Sequence, residues 1–367
     1  MNVNGKPYRT IWTSPDRHAF EIIDQTCLPH QFTTIRVGSF KEAVYAISSM
    51  QVRGAPLIGA TAAYAMWLSA QENSTLEALR LAGDELIRSR PTAVNLRWAV
   101  NELLNRLTSI PMTERPGRAL EFAEEVCESD VESCRRIGLA GLKVIKALPE
   151  FKKNKRPINV LTHCNAGWLA CVDWGSALSP IYAAHAEGID IHVWVDETRP
   201  RNQGASLTSF ELDQQGIPFH LISDNAGGHL MQEGKVDLCL VGADRVTRNG
   251  HVANKIGTYL KALAAGDNAV PFYVAFPGTT IDWSIDTWRD IPIEERSGDE
   301  VTLIRGRLED GTIADVSIGP NNISTANPAF DVTPSNLITG LITERGVAKA
   351  NEHSLAKLYP EHSQLIQ

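Results

Sequence analysis

A cysteine and an aspartate stand at equivalent positions behind two apolar runs in the second half of this sequence. Cys164 lies in the segment HCNAG after the run 158–162, and Asp244 lies in GADR after the run 238–241. In open α/β sheets, ligands collect at the carboxyl ends of the strands. A carboxylate in such a crevice loses water, which raises its pKa toward the range useful for proton transfer. The spacing predicts that Cys164 and Asp244 share one crevice.

Each of these residues also has a simpler interpretation. Cysteine is among the most buried residue types, so Cys164 could belong to the core. Asp244 could cap the next helix or pair with Arg245. His163 would point to the opposite face of a strand from Cys164, so we interpret it as a packed or hydrogen-bonded side chain. Three further histidines show no metal-binding spacing and are interpreted as structural: His185, His220 and His229.

Basic residues near predicted helix starts offer sites for an anion. Asn254 and Lys255 precede a helical pattern, and free backbone N–H groups beside a lysine suit a phosphate. Arg53 stands before an apolar helix that carries Pro56 at its start. Arg90 likewise precedes a predicted helix start. The alternative interpretation is that these segments are ordinary helix entries and that the lysine is solvated.

The elements that must position these residues follow from hydrophobic periodicity. Residues 7–36 alternate apolar and polar positions around a turn at Ser14, which predicts a small β element. Apolar residues then recur at helical spacing in five segments: 40–50, 58–70, 76–89, 96–107 and 115–148. Strand-like runs, most of them separated by helical patterns, follow at 158–162, 191–195, 219–222, 238–241 and 272–275. This order predicts an α/β protein whose second part is a mostly parallel sheet with helices on both faces.

The chain length and one charged segment predict two domains. The chain has 367 residues, which exceeds one typical hydrophobic core. The charged, proline-containing segment 149–157 interrupts the helical pattern. We therefore predict an N-terminal, mainly helical domain with a small β extension at residues 1–148 and a sheet domain at residues 149–367.

Composition excludes several functional classes. The net charge of −8 argues against nucleic-acid binding by bulk electrostatics. The polar N-terminus lacks the apolar core of a signal peptide, and no window reaches the ~18 apolar residues of a membrane span. The six cysteines include no CxxC pair, so we expect most of them to be reduced and buried. The GxGxxG dinucleotide fingerprint is absent. We expect a cytoplasmic enzyme.

These segments resemble those of a known family. The sequence is similar to the methylthioribose-1-phosphate isomerases, which belong with the regulatory α, β and δ subunits of translation initiation factor 2B. The similarity covers nearly the whole chain, in order, through the segments RGAPLIGATAAY (53–64), RPTAVNL (90–96), LTHCNAGWLA (161–170), ETRPRNQGA (197–205), VGADRVTRNGHVANKIGTY (241–259), PFYVAFPGTTID (271–282), IPIEER (291–296) and NPAFDVTPSNLITGLITERG (327–346).

The resemblance implies an architecture and a set of site residues. It implies an N-terminal helical domain, a Rossmann-like C-terminal domain, a homodimer joined mainly through the latter, and neither a metal nor a redox cofactor. The family's reacting cysteine and aspartate fall on Cys164 and Asp244. Its substrate-binding residues fall on Arg53, Gly54, Ala55, Arg90, Gln203, Asn254 and Lys255.

The resemblance also implies a reaction. The expected activity is the conversion of 5-methylthioribose 1-phosphate to 5-methylthioribulose 1-phosphate in methionine salvage, a route of methionine biosynthesis. One alternative is an isomerase of 5-deoxyribose 1-phosphate or ribose 1,5-bisphosphate, and another is a regulatory subunit without activity. The presence of both Cys164 and Asp244 favours the enzymatic branch, because the regulatory subunits are not enzymes.

Overall fold

A computed structural model describes residues 1–90, 93–149, 151 and 156–362. Pro91 and Thr92 of the segment RPTAVNL lie outside the described residues, as do 150 and 152–155 of the predicted boundary segment and 363–367 at the C-terminus. The division into domains at 148/149 therefore stays a prediction.

The helices of the described residues divide into a first group of five and a later group of six. The first group is α1 Phe40–Ser48, α2 Ala55–Glu72, α3 Leu76–Ser89, α4 Val94–Leu107 and α5 Arg115–Ala147. The later group is α6 Ser179–Ala186, α7 Ser209–Gln214, α8 Ala226–Gln232, α9 Thr258–Asp267, α10 Asp299–Thr302 and α11 Glu352–Leu358.

The strands are short. Those before the helices are β1 Asn2–Val3, β2 Lys6–Pro7, β3 Ile11–Thr13, β4 Phe20–Ile23 and β5 Thr34–Val37. Those after α5 are β6 Ile158–Thr162, β7 Ile191–Asp196, β8 Phe219–Ile222, β9 Leu238–Val241, β10 Arg245–Thr247, β11 Val252–Lys255, β12 Phe272–Ala275, β13 Ile281–Asp282, β14 Leu303–Arg307, β15 Ile313–Ser317, β16 Phe330–Thr333, β17 Gly340–Thr343 and β18 Gly346–Ala348.

The helical part is built around α2. This helix carries no charged residue between Ala55 and Ala70, and every residue from Leu57 to Ala70 is buried. A helix that is apolar on all sides must be surrounded by other elements, and α1, α3, α4 and α5 pack against it. The three-stranded antiparallel sheet β3-β4-β5 supplies the predicted small β element and adds Ile11, Phe20 and Ile22 to the same core.

The C-terminal part contains a seven-stranded sheet in the order β18-β17-β12-β9-β6-β7-β8. All neighbouring strands in it are parallel except β17 and β18. Val160 and Leu161 of β6 belong to separate apolar clusters, as expected for residues that alternate between two covered faces. This confirms the predicted α/β class, with a helical N-terminal region and a mostly parallel sheet.

Strand order in this sheet reverses between β6 and β9. The chain runs outward from β6 through β7 to β8 and then returns to the other side of β6 as β9. The crevice beyond the carboxyl ends of two strands at such a reversal is the preferred ligand site of open α/β sheets. A four-stranded sheet, β13-β10-β11-β16, follows the end of β9 directly, and the sequence analysis did not predict it.

Among the described helices, none is both long enough and apolar enough to cross a membrane.

Candidate active site

The strand reversal places Cys164 and Asp244 in one cleft. Strands β6 and β9 pair in parallel, with Val160 opposite Leu238. Cys164 follows β6 by two residues and Asp244 follows β9 by three, and both line one cleft.

All nine predicted site residues line this cleft: Arg53, Gly54, Ala55, Arg90, Cys164, Gln203, Asp244, Asn254 and Lys255. The first four come from the helical part of the chain, and the other five come from the segments that follow α5. The structure therefore brings the whole predicted set together, whereas the role of each residue stays a prediction.

Cys164 is held in a strained backbone conformation. Its φ of +66° lies in the left-handed region, which non-glycine residues adopt at a cost and which is common at functional sites. The backbone N–H of Cys164 donates to Thr198 Oγ1 at 2.7 Å, and its carbonyl accepts from Thr208 Oγ1 at 2.7 Å. Its Sγ lies 3.6 Å from Gln203 Oε1. These contacts fix the thiol at the wall of the cleft, where the residue is only 7% exposed.

Burial keeps the thiol of Cys164 protonated. Loss of water raises the pKa of Cys164, the positive charges of Arg53 and Lys255 oppose that rise, and Asp244 adds to it. A protonated thiol is a poor nucleophile, because the thiolate is the reactive form.

Asp244 shows the electrostatics that its position predicts. Its backbone N–H donates to the carbonyl of Ala253 at 2.9 Å. Burial raises the pKa of the Asp244 carboxyl, and the positive charges of Lys255, Arg53 and Arg90 oppose the rise.

Arg245 does not neutralise Asp244. It begins β10, and its guanidinium pairs with Asp282 at 3.4 Å. The alternative that Asp244 serves mainly to pair with Arg245 is therefore wrong, because the two neighbouring side chains diverge on extended backbone.

Three cationic side chains, Arg53, Arg90 and Lys255, line the cleft together with Cys164 and Asp244. Lys255 Nζ lies 4.6 Å from the centroid of the Phe330 ring, and burial lowers the pKa of this lysine. Arg90 lies 3.9 Å from Glu294, but its Nε and Nη1 have no hydrogen-bond partner among the described residues. Arg53 donates to the side chain and to the carbonyl of Asn165. Buried N–H groups without partners are costly, so the cleft is suited to an anion.

One part of the predicted phosphate site is wrong. Asn254 and Lys255 end strand β11 instead of opening a helix. The helix that follows, α9, already has an acceptor at its N-terminus, because Gly257 and Tyr259 donate their backbone N–H groups to Asp331 at 2.7 and 3.1 Å. Lys255 contributes its side chain to the cleft, but the start of α9 is occupied by a carboxylate.

The start of α2 lies open to the cleft instead. Gly54 precedes the helix with φ +88°, no side chain caps it, and Pro56 is its second residue. A Cβ at Gly54 would lie 2.5 Å from the carbonyl oxygen of Ala170, so only glycine lets α2 approach the loop after β6 this closely. The residues at the start of this helix, Gly54 to Pro56, thus line the same cleft as Arg53 and Cys164.

His163 has the hydrogen-bonded role that the sequence predicts. It is buried, with Nδ1 2.8 Å from Asp196 Oδ2 and Nε2 2.8 Å from the carbonyl oxygen of Ile256. Asp196 also pairs with Lys261 at 3.1 Å. This network ties the end of β6 to the end of β7 and to the turn before α9.

Two groups of side chains within the described residues have donor atoms close enough to share a metal ion: Asp130 with Cys134 and Cys171, and His163 with Asp196 and Asp224. In the second group, Asp196 already pairs with Lys261, and Asp224 accepts the backbone N–H groups of Thr198 and Arg199 at 2.7 Å each. A cation there would compete with an ammonium group that is already in place.

Several residues of the site were missed by sequence reasoning. Asn165 lies inside the segment HCNAG, so its position beside Cys164 was a usable signal. Phe330 lines the cleft from β16, and no local pattern links it to the strand ends. Glu211 lies behind the cleft and binds Asn165 at 2.8 Å, although a glutamate in a helical pattern normally indicates a solvated face.

Comparison with known proteins identifies the family of this chain. The Initiation factor 2 subunit family matches residues 51–350. Methylthioribose-1-phosphate isomerase from Paramagnetospirillum magneticum is 54% identical over 364 residues, which cover 99% of this chain and all of the relative. The enzyme of the same name from Rhodospirillum rubrum is 55% identical, covering 99% of this chain and 94% of its own. This chain belongs to the methylthioribose-1-phosphate isomerases of the initiation factor 2 subunit family.

Solved structures of this family share the fold over nearly the full length. The 5-methylthioribose 1-phosphate isomerase of Pyrococcus horikoshii superimposes with a TM-score of 0.83 at 37% identity and covers 97% of both chains. Subunit delta of translation initiation factor eIF-2B from A. fulgidus superimposes with a TM-score of 0.79 at 39% identity, covering 96% of this chain and all of that one. Both solved structures therefore share one architecture with this chain.

Proposed function

We propose that this protein converts 5-methylthioribose 1-phosphate to 5-methylthioribulose 1-phosphate in methionine salvage, with Cys164 and Asp244 as the reacting pair. The observation that carries the proposal is the meeting of a buried thiol and a buried carboxyl, both with raised pKa, in a cleft with three cationic side chains. The curated relatives that are 53–55% identical to the chain bear the name of this isomerase.

The substrate dictates the order of events. Its anomeric oxygen carries the phosphate, so the ring cannot open as the ring of a free sugar does. The enzyme must break the bond between C1 and the ring oxygen with the phosphate in place, and hydrogen must then move from C2 to C1. The C2 hydroxyl becomes a carbonyl as C1 gains the hydrogen, so the reaction needs no external oxidant or reductant.

Phosphate binding prepares Asp244 for this chemistry. Burial raises the pKa of Asp244, and the positive charges of Lys255, Arg53 and Arg90 limit that rise. A phosphate bound to these cations screens their charge, so the pKa of the carboxyl rises further and the neutral acid is favoured. The neutral acid can protonate the ring oxygen as the ring opens.

Cys164 is assigned to the second step. In the proton-transfer route its thiol first passes its own proton to the carboxylate that Asp244 becomes on ring opening; the thiolate then moves the C2 proton to C1 and is reprotonated by the C2 hydroxyl as that group becomes the carbonyl. Alternatively, Cys164 stabilises the intermediate that forms when C2 loses its proton. If the hydrogen moves directly from C2 to C1 as a hydride, Cys164 only shapes the wall of the site. Turnover in deuterium oxide separates the two routes: proton transfer introduces deuterium at C1, and hydride transfer introduces none.

A panel of three substrates tests the specificity. We expect 5-methylthioribose 1-phosphate to have a higher kcat/KM than 5-deoxyribose 1-phosphate or ribose 1,5-bisphosphate. A preference for the bisphosphate would contradict the assignment of a methylthio substrate. The absence of turnover with all three would place the chain with the regulatory subunits.

A homodimer joined through the sheet domain is proposed as well. Its support is the exposed apolar face of α9, formed by Tyr259, Leu260 and Leu263. The cytoplasmic location stays a prediction.

A further inference from the structure

Glu211 is buried behind the cleft and organises the loop that carries Cys164. We call residues 163–170, which follow β6, the β6 loop. Glu211 accepts hydrogen bonds from the backbone N–H groups of Trp168 at 2.9 Å and Leu169 at 3.0 Å, and from the hydroxyl of Tyr182. A Cβ added at Gly167 would lie only 1.7 Å from Glu211 Oε2 and would overlap it. The close approach of Glu211 to the loop therefore depends on that glycine.

The same carboxylate also binds the side-chain amide of Asn165. Glu211 Oε1 accepts from Asn165 Nδ2 at 2.8 Å. The guanidinium of Arg53 can only donate, so the amide oxygen of Asn165 must face Arg53, and the NH₂ group of Asn165 must face Glu211 and Thr208 Oγ1, which lies 3.2 Å away. The amide oxygen accepts from Arg53 Nη1, and the backbone carbonyl of Asn165 accepts from Arg53 Nη2 at 2.7 Å.

Glu211, Asn165 and Arg53 thus form a chain of buried hydrogen bonds, which we call the relay, and it joins the two parts of the structure. Glu211 and Asn165 belong to segments around the seven-stranded sheet, whereas Arg53 precedes α2 of the helical part. All three side chains are buried, and Arg53 and Asn165 also line the cleft. Two N–H groups of the guanidinium are thus held by Asn165, and its remaining N–H groups stay available to a ligand.

We propose that Asn165 and Glu211 are positioning residues that fix the Arg53 guanidinium for the substrate phosphate before the substrate binds. This inference rests on the proposed function, in which Arg53 contacts the phosphate. A free arginine side chain must lose rotamer freedom on binding, and a guanidinium that is already fixed avoids much of that loss. The relay acts on substrate affinity and leaves the proton-transfer steps to Cys164 and Asp244.

A double-mutant cycle on KM tests the relay. Asn165→Ala should raise KM for 5-methylthioribose 1-phosphate by roughly ten- to a hundredfold, the range expected for losing a hydrogen bond to a charged group. The change in kcat should be smaller. In an Arg53→Ala background the same substitution should add no further rise, because residues that act through one another are not additive. Asn268→Ala is the matched control, since Asn268 donates to Ala264 within α9 and its neighbouring turn, outside the cleft.

Glu211→Gln provides a second route to the same measurement. In either orientation its new NH₂ group opposes a backbone N–H, that of Trp168 or that of Leu169, so the loop that carries Asn165 should shift and displace Asn165 from Arg53. We expect a rise in KM that also disappears in the Arg53→Ala background. If Asn165→Ala fails to fold by thermal melting, this second cycle decides the question.

The outcomes separate this inference from the proposed function. An equal rise in KM for Asn165→Ala and Glu211→Gln with and without Arg53 would overturn the relay. Unchanged KM for Asn165→Ala in the otherwise native enzyme would overturn it too. Unchanged KM for Arg53→Ala alone would instead remove Arg53 from phosphate binding, and with it that part of the proposed function.

Discussion

At the scale of single residues, Cys164 carries the clearest expectation. Its thiol is buried, protonated and fixed by a strained backbone. Cys164→Ser should abolish nearly all turnover with the fold intact, because a hydroxyl is similar in volume but less acidic and less polarisable. kcat and the melting temperature of the variant measure both effects. Cys27→Ser, outside the cleft, is the control. A fully active Cys164→Ser enzyme would leave packing as the only role of the thiol.

Asp244 tests the proton-transfer step separately from binding. Asp244→Asn retains the size of the side chain but cannot exchange a proton at working pH. An acid–base group usually contributes ~10²–10⁴-fold, and we expect kcat to fall by at least that much. Affinity should be largely retained, because Arg53, Gln203, Asn254 and Lys255 still line the cleft. Calorimetry of substrate binding beside kcat measures both quantities, and near-normal kcat would remove Asp244 from the mechanism.

At the scale of elements, local patterns predicted what depends on local contacts. The structure confirms all five helices of the N-terminal part and five strands of the large sheet, β6 to β9 and β12, with ends that differ by at most three residues. The four-stranded sheet was missed because its strands have two to four residues and pair over long distances. Strand β11, for example, pairs with β16, in which Phe330 lies opposite Lys255.

The same limit applies to the site. Cys164 and Asp244 could be predicted because a strand end is a local feature and the strand order then brings two such ends together. Glu211 could not be predicted as part of the site, because its carboxylate reaches the loop after β6 only where Gly167 leaves space for it. The expected phosphate site at α9 was wrong for a similar reason: its acceptor, Asp331, lies far along the chain.

Asp130 on helix α5 should make the stability of the protein depend on pH. Asp130 on this helix accepts the N–H of Val172 at 2.7 Å, and burial raises its pKa to about 7. A raised pKa in the folded state means that the carboxyl favours folding at low pH and that this contribution is lost as the pH rises from about 4 through 7. Asp130→Asn removes the titration. At pH 8 it should increase the free energy of unfolding by up to about 4 kcal/mol and so raise the melting temperature. At pH 4 it should change the melting temperature little.

Thermal melting at both pH values measures this effect. Asp16→Asn is the control, because Asp16 is exposed and its pKa is lowered mainly by a hydrogen bond from Arg36. Loss of that carboxylate should destabilise at pH 8, the opposite sign. An Asp130→Asn variant that melts lower than the native protein at pH 8 would contradict the assignment of a raised pKa.

At the scale of the whole molecule, the cleft exists only where two parts of the chain meet. Arg53 and Arg90 come from the helical part, whereas Cys164, Asp244 and Lys255 come from segments around the sheets. The contact is fixed by buried hydrogen bonds, such as that from Thr10 N to the carbonyl oxygen of Val172 at 3.1 Å. Substitutions that loosen this contact should therefore affect substrate affinity before they affect either core.

The exposed face of helix α9 is a candidate interface between copies of the chain. Tyr259, Leu260 and Leu263 lie on one side of this helix and are exposed, while Ala262 and Ala265 on its other side are buried against the sheet. Exposed apolar residues that form one patch indicate an interaction surface. We expect this patch to lie in a two-fold interface between copies of the chain, the commonest geometry of homo-oligomers.

Light scattering at micromolar concentration tests this assembly. The native protein should have the mass of a dimer, and Leu260→Glu should shift it toward the monomer, because a carboxylate buried in an apolar interface loses its hydration. Leu81→Glu is a matched control: Leu81 on α3 is 64% exposed and Leu260 is 61% exposed, but Leu81 lies on the helical part. A strictly monomeric native protein would contradict the dimer. A dimer that survives Leu260→Glu, or one that Leu81→Glu dissociates, would place the interface away from α9.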